Sequence, residues 1–178
     1  MMEDALKRVR AGDSEAFREI VAATSERLVR VAARLMGSKS EGEDVVQDAY
    51  LKAYQALSED RFDGRASVPT WLYRIVVNTA TDALRRRGRK ERRAADQVGP
   101  ASWDGERAAE AHLALQELDQ WLKTLAPEQR IALVLKNIEG LTSREIAEMM
   151  NCTEGAVEQR LVRARATLRR HEEEHDDE

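Results

Sequence analysis

One cysteine, three prolines, nine glycines and eight aromatic residues among 178 positions leave little room for several classes of protein. The single thiol, Cys152, excludes an internal disulfide and any cysteine-rich metal site, so a reducing cytoplasm is the expected compartment. Glycine and proline together make 12 residues, well under the ordinary usage of roughly 12 per cent. Sandwiches and barrels need frequent turn residues and strand-forming aromatics, so an all-β fold is disfavoured. No apolar run approaches the roughly 20 residues that span a bilayer, and the opening MMEDALKRVRAGD lacks the hydrophobic stretch of a signal peptide, so no membrane insertion is expected. His112, His171 and His175 share no ligand spacing with a cysteine or carboxylate cluster, and neither a Gly-rich phosphate loop nor a nucleophile elbow is found. No metal, cofactor or catalytic residue is therefore expected, and the pattern argues against an enzyme.

What the chain does have is charge, 35% of its residues, beside 42% hydrophobic ones. That balance suits amphipathic helices, and the length suits two small domains, so the expected fold class is all-α. The net charge of −4 conceals an asymmetry, because the last eight residues, HEEEHDDE, hold six carboxylates. RRRGRKERR at 85–93 has seven cations against one acid, and Arg160 to Arg170 holds five arginines and no acid. Such a distribution fits a polyanionic partner despite an acidic pI.

Periodicity then places the helices. After a short helical segment ending near Gly12, Phe17, Ile20, Val21, Thr24, Leu28, Val31, Ala32 and Leu35 mark one long amphipathic helix that Gly37 stops. Ser40 with Glu43 reads as a capping box for the next helix, with Val45, Val46, Ala49, Tyr50, Ala53 and Leu57 as its buried stripe. The segment 58–69 breaks the period and reads as a loop, and Thr70 starts a helix cored by Leu72, Ile75, Val76, Thr79, Ala83 and Leu84. The first domain is expected at 1–93, a flexible linker at 94–107, a second domain at 108–170 and an acidic tail at 171–178. In the second domain Ala111, Leu115, Leu118, Leu122 and Leu125 form a stripe. Pro127 opens a helix that Gly140 ends, and Thr142 with Glu145 caps the one after it.

Two short helices joined by a turn at Asn151–Thr153, with arginines on the second, outline a helix-turn-helix. On the last helix Val157, Leu161, Ala164 and Leu168 form one stripe, and Gln159, Val162 and Arg163 lie opposite. Gln pairs bidentately with adenine and Arg with guanine, so Gln159 and Arg163 have base-reading chemistry. A solvated helix in a generic helical hairpin accounts for the same spacing, and at this level the two readings stand level.

Longer strings separate them. EGEDVVQDAYLKAYQAL (41–57) resembles region 2.2 of the extracytoplasmic-function sigma factors of bacterial RNA polymerase, members of the sigma-70 family. RFDGRASVPTWLYRIVVNTATDALRRRGR (61–89) resembles that family's following loop and helix, and residues 125–170 are similar to its region 4. The resemblance implies a promoter-specificity subunit with two DNA-reading domains. Its partners would be core polymerase, through the clamp of the largest subunit and the flap of the second largest, together with promoter DNA and an inhibitory anti-sigma factor. A stand-alone helix-turn-helix regulator is the alternative.

By the same resemblance Asp44, Gln47, Asp48 and Lys52 belong to the polymerase-docking face. Phe62, Arg65, Ser67, Trp71, Asn78, Arg85 and Arg86 belong to minus-ten recognition, with Asn78 able to donate and accept at a base edge and the arginines neutralising phosphate. Phe62 can stack on a base or anchor its loop, and anchoring is preferred; for Trp71 core packing is preferred to stacking. Glu158, Gln159, Arg160, Arg163 and Arg165 belong to minus-thirty-five recognition. Glu158 departs from the basic or small polar residue usual there; it can accept from cytosine N4 but repels phosphate. Asn151–Cys152 replaces the commoner Leu-Gly or Met-Gly, with Asn tolerating a left-handed backbone and Cys152 read as a small packing residue. The acidic tail, tethered behind the recognition helix, is expected to compete with phosphate.

Overall fold

A computed structural model of the chain describes residues 2–95, 122 and 124–176, with side chains for 2–90, 122 and 124–170. Every regular element among them is α-helical. The linker expected at 94–107 lies outside the described residues except for Ala94 and Ala95, and so do Ala111, Leu115, Leu118, His112 and the side chains of the acidic tail. The chain divides into two compact units, residues 1–82 and 83–178.

The first unit contains α1 (Met2–Arg10), α2 (Glu15–Met36), α3 (Lys39–Ser58) and the start of α4 (Val68–Ala95). Asp13 makes the α1–α2 corner. Its Oδ1 accepts from the backbone N–H of Glu15 at 3.0 Å and of Ala16 at 3.3 Å, satisfying donors that the first turn of α2 leaves open. Its Oδ2 takes Arg8 Nη2 at 2.7 Å, and Arg8 Nη1 reaches Glu19 at 2.7 Å. The hydrogen bonds from Arg8 hold the Asp13 carboxyl below its ordinary range. α2 closes as its sequence predicts, on Gly37 at φ 73° with its N–H on the Ala33 carbonyl.

The capping box expected at Ser40–Glu43 is not formed. Ser38 is the N-cap, extended at φ −152°, and its hydroxyl accepts from Glu41 N. Ser40 already lies inside the first turn, where the backbone is helical and a cap cannot act. Next to this corner α3 crosses α2 closely at Gly42, where a Cβ would stand 2.5 Å from Ala33 N and 2.7 Å from Ala33 Cα. Thr24, buried between the two helices, meets both polar demands of its hydroxyl: Oγ1 is 2.7 Å from the Ile20 carbonyl and 2.7 Å from Tyr50 Oη.

α4 starts two residues earlier than Thr70, with Pro69 in its first turn, where the missing N–H costs nothing. Its core is also wider than the expected stripe. Ile75 and Ala83 are only half-buried, whereas Tyr73, Val77, Ala80 and Thr81 join Leu72, Val76, Thr79 and Leu84 in the interior. At 3.6 residues per turn these positions cover more than half of the helix circumference, as befits a helix with neighbours on several sides.

The second unit holds α5 (Pro127–Asn137), α6 (Ser143–Met150) and α7 (Glu154–Asp176). Ile131, Val134, Leu135, Ile146, Val157 and Leu161 are each 1% exposed or less and form its core. The capping box at Thr142 and Glu145 is present in both directions, and α6 ends on Asn151 at φ 50°, ψ 53°, in the left-handed region its side chain tolerates.

Candidate nucleic-acid interface

Three helix faces carry the candidate residues. On α3 the buried arc of Val45, Val46, Ala49 and Ala53 turns Asp44, Gln47 and Asp48 outward together, all exposed. Leu51 stands at the centre of that exposed face, 60% accessible. It is not among the residues expected from the sequence, because a single exposed leucine is ordinary on a helix surface. Lys52 sits at the edge of the face, and its Nζ donates to Thr79 Oγ1 at 3.1 Å, tying α3 to α4.

On α4 Trp71, Arg74, Asn78 and Arg85 fall along one side at three-, four- and seven-residue steps. Arg74, Asn78, Arg85 and Arg86 are exposed and Trp71 is half-buried. Arg74, not among the expected residues, is one turn from Asn78. Arg85 Nε lies 2.5 Å from Glu128 Oε1 within the second unit. Phe62, at 4% exposure, packs on Trp71 with ring centroids 4.7 Å apart and so anchors its loop. In that loop Arg65 is exposed beside Asp63, and the Ser67 hydroxyl meets Thr70 Oγ1 at 2.9 Å at the start of α4.

On α7 the three-residue turn Asn151–Thr153 presents the helix, and Val157, Leu161 and Ala164 bury one side. Gln159, Arg163 and Arg165 are exposed, and Val162 is 63% accessible between them. The flanks are engaged differently. Glu158 accepts a hydrogen bond from the Ser143 hydroxyl at the first residue of α6, where a carboxylate also meets the positive end of that helix. Arg160 turns back to the turn, with Nη1 2.9 Å from Cys152 Sγ and 4.0 Å from Met150 Sδ. Cys152 is thus half-buried and takes a polar contact, which goes beyond the small packing residue expected from sequence. Among the described residues no group of His, Cys, Asp or Glu is arranged to hold a metal ion. No described helix is long and apolar enough to cross a membrane.

Two helical units, one ending in a helix-turn-helix with an exposed, arginine-bearing second helix, define a DNA-binding transcription protein. The family model for Sigma-70 region 2 matches residues 20–90, and that for Sigma-70 region 4 matches residues 115–168. The chain is 33% identical to the RNA polymerase sigma-H factor of Pseudomonas aeruginosa, over 92% of this chain and 89% of that one. It is 30% identical to the ECF RNA polymerase sigma factor SigW of Bacillus subtilis, over 96% of each. Among solved structures it resembles the sigma factor RpoE in complex with the anti-sigma factor NepR from Bartonella quintana. The TM-score there is 0.62 at 28% identity, over 86% of this chain and 94% of that one. CnrH in complex with the cytosolic domain of CnrY gives a TM-score of 0.62 at 28% identity, over 95% of each chain. The chain belongs to the extracytoplasmic-function sigma factors of the sigma-70 family, and the stand-alone regulator is not favoured.

Proposed function

We propose that this sigma factor divides its work between three helix faces. The α3 face of Asp44, Gln47, Asp48 and Leu51 docks on the clamp of core polymerase, where an accessible leucine ringed by polar groups supplies an apolar anchor. Lys52 supports that face from its edge through Thr79. The 59–67 loop and the α4 face of Trp71, Arg74 and Asn78 capture the melted minus-ten strand, while Arg85, Arg86 and the run behind them neutralise phosphate. In the second unit Gln159 and Arg163 read minus-thirty-five bases and Arg165 holds the backbone, with the flap of the second-largest subunit as that unit's polymerase contact.

The boundaries that follow are 1–93 for the docking and minus-ten domain, 94–107 for the linker, 108–170 for the minus-thirty-five domain and 171–178 for the tail. A cytoplasmic location and an anti-sigma factor covering the polymerase-binding faces complete the reading; RpoE of Bartonella quintana is seen in complex with the anti-sigma factor NepR.

The observation that carries the docking assignment is the joint exposure of Asp44, Gln47, Asp48 and Leu51 on one face of α3. Asp48→Lys combined with Leu51→Ala is expected to weaken binding to core polymerase at least tenfold while the circular dichroism spectrum stays that of the wild type. Unchanged affinity for core would contradict the assignment.

A further inference from the structure

The nine residues 59–67 between α3 and α4 contain two left-handed positions, Gly64 at φ 72° and Asp60 at φ 52°. Glycine adopts that region freely. Asp60 adopts it as the residue that closes α3, with its own N–H on the Leu57 carbonyl at 3.2 Å and the Arg61 N–H on the Ala56 carbonyl at 2.8 Å. The loop that follows is met by a second helix, α1, to which the sequence assigns no role. Arg10, in the last turn of α1, places Nε 3.1 Å from Asp60 Oδ1. Its Nη2 donates to the backbone carbonyl of Phe62. Its Cζ stands 5.8 Å from the centroid of the Phe62 ring, which packs on the half-buried Trp71. One guanidinium therefore meets the loop through an ion pair, a hydrogen bond and a cation–π contact, a combination that needs a planar fork and that an ammonium group cannot reproduce.

We propose that Arg10 is a positioning residue for minus-ten recognition. It holds the 59–67 loop on the Phe62–Trp71 pair, so that Arg65 and Ser67, just ahead of α4, are presented in a single conformation when the melted strand arrives. The role acts through the loop, since Arg10 is itself committed to Asp60 and Phe62. It rests on the assignment of this loop and of Asn78 to minus-ten capture. If the loop without Arg10 holds its binding conformation about a tenth of the time, strand affinity drops about tenfold, because apparent affinity scales with the competent fraction.

The test uses holoenzyme reconstituted with core polymerase and a nontemplate-strand oligonucleotide chosen by wild-type holoenzyme from a pool randomised at the minus-ten element. Arg10→Ala and Arg10→Lys should each weaken binding of that strand about tenfold, and Asp60→Asn should weaken it in the same direction from the loop side. Discrimination against a scrambled strand should shrink with it, while affinity for core and helix content remain those of the wild type. Arg10→Ala that binds and discriminates like wild type, beside Asn78→Ala that does not, overturns the role of Arg10 and leaves minus-ten capture standing. If Asn78→Ala and Arg10→Ala both behave as wild type, the assignment of this face falls and takes the inference with it. Loss of core affinity in step with strand affinity for Arg10→Ala, Arg10→Lys and Asp60→Asn would make the contact merely structural and overturn the proposal.

Discussion

Gly42→Ala places a methyl group where α2 and α3 come closest, and the neighbours it meets are backbone: Ala33 N at 2.5 Å, Ala33 Cα at 2.7 Å and the Ala32 carbonyl carbon at 3.0 Å. No rotamer change can relieve such a contact, so the two helices must separate by several tenths of an ångström along a crossing lined by buried Ala32, Leu35, Val45 and Val46. Overpacking of this kind costs about 1–3 kcal/mol, and a backbone obstacle places this site at the upper end. Alanine's better helix propensity returns about 0.8–1.0 kcal/mol, leaving a net loss of about 2 kcal/mol. Hydrogen exchange of the α2 and α3 amides in the full chain reads the stability of this unit separately from the other, and that loss corresponds to roughly 30-fold faster exchange. Gly155→Ala is the control. Its Cβ meets nothing within 4 Å, so exchange in the second unit should stay the same or slow. Less than threefold acceleration in Gly42→Ala would refute the claim that this crossing is fixed by the absence of a side chain.

Other outcomes follow from single contacts. Glu158 is bonded to Ser143 at the start of α6, so Ser143→Ala, which frees a carboxylate beside the phosphates, should weaken upstream-element binding, whereas Glu158→Ala should not, and the double variant should bind like Glu158→Ala. Glu158→Gln, which keeps the acceptor, should retain base preference, and a shift of preference at one base pair would show that Glu158 reads sequence. Arg165→Ala should weaken all DNA sequences and lower the salt slope by roughly one unit, whereas a change of base preference would place it at a base edge. Because the Arg8 hydrogen bonds depress the Asp13 carboxyl, its contribution to the α1–α2 corner is present above the ordinary value of 3.8 and is lost as pH falls through the lower folded value. Amide exchange at Glu15 and Ala16 should therefore gain an acid-dependent rise, after correction for intrinsic rates, that Asp13→Asn lacks; the same rise in that variant would refute the attribution.

Helix number and order within the described residues were legible because apolar spacing is a local property of each helix, and Gly37, Gly140 and Asn151 are local stops. The α3 cap was not, since Ser38–Glu41 and Ser40–Glu43 offer the same pattern two residues apart. What decides between them is the left-handed Gly37, which makes Ser38 the first extended residue. The extra burial on α4 depends on how many elements surround it, which one stripe cannot report. Site residues legible from motif spacing, such as Asn78, Gln159 and Arg163, do fall on exposed faces. Contacts between residues far apart in sequence escaped: Arg10 to Phe62 across 52 positions and Ser143 to Glu158 across 15. These give protein partners to side chains that spacing alone would leave to solvent or to DNA.

The most direct test of the division of labour is a promoter selection by reconstituted holoenzyme, from a library randomised across both the upstream and the downstream element. Two separate sequence blocks should emerge with wild type, and the free chain without core should enrich neither well. Arg163→Ala should relax a single position of the upstream block, worth about 1–3 kcal/mol there, and leave the downstream block intact. Asn78→Ala should do the reverse. One block alone, or both blocks altered by either substitution, would contradict the assignment of minus-ten capture to α4 and of minus-thirty-five reading to α7.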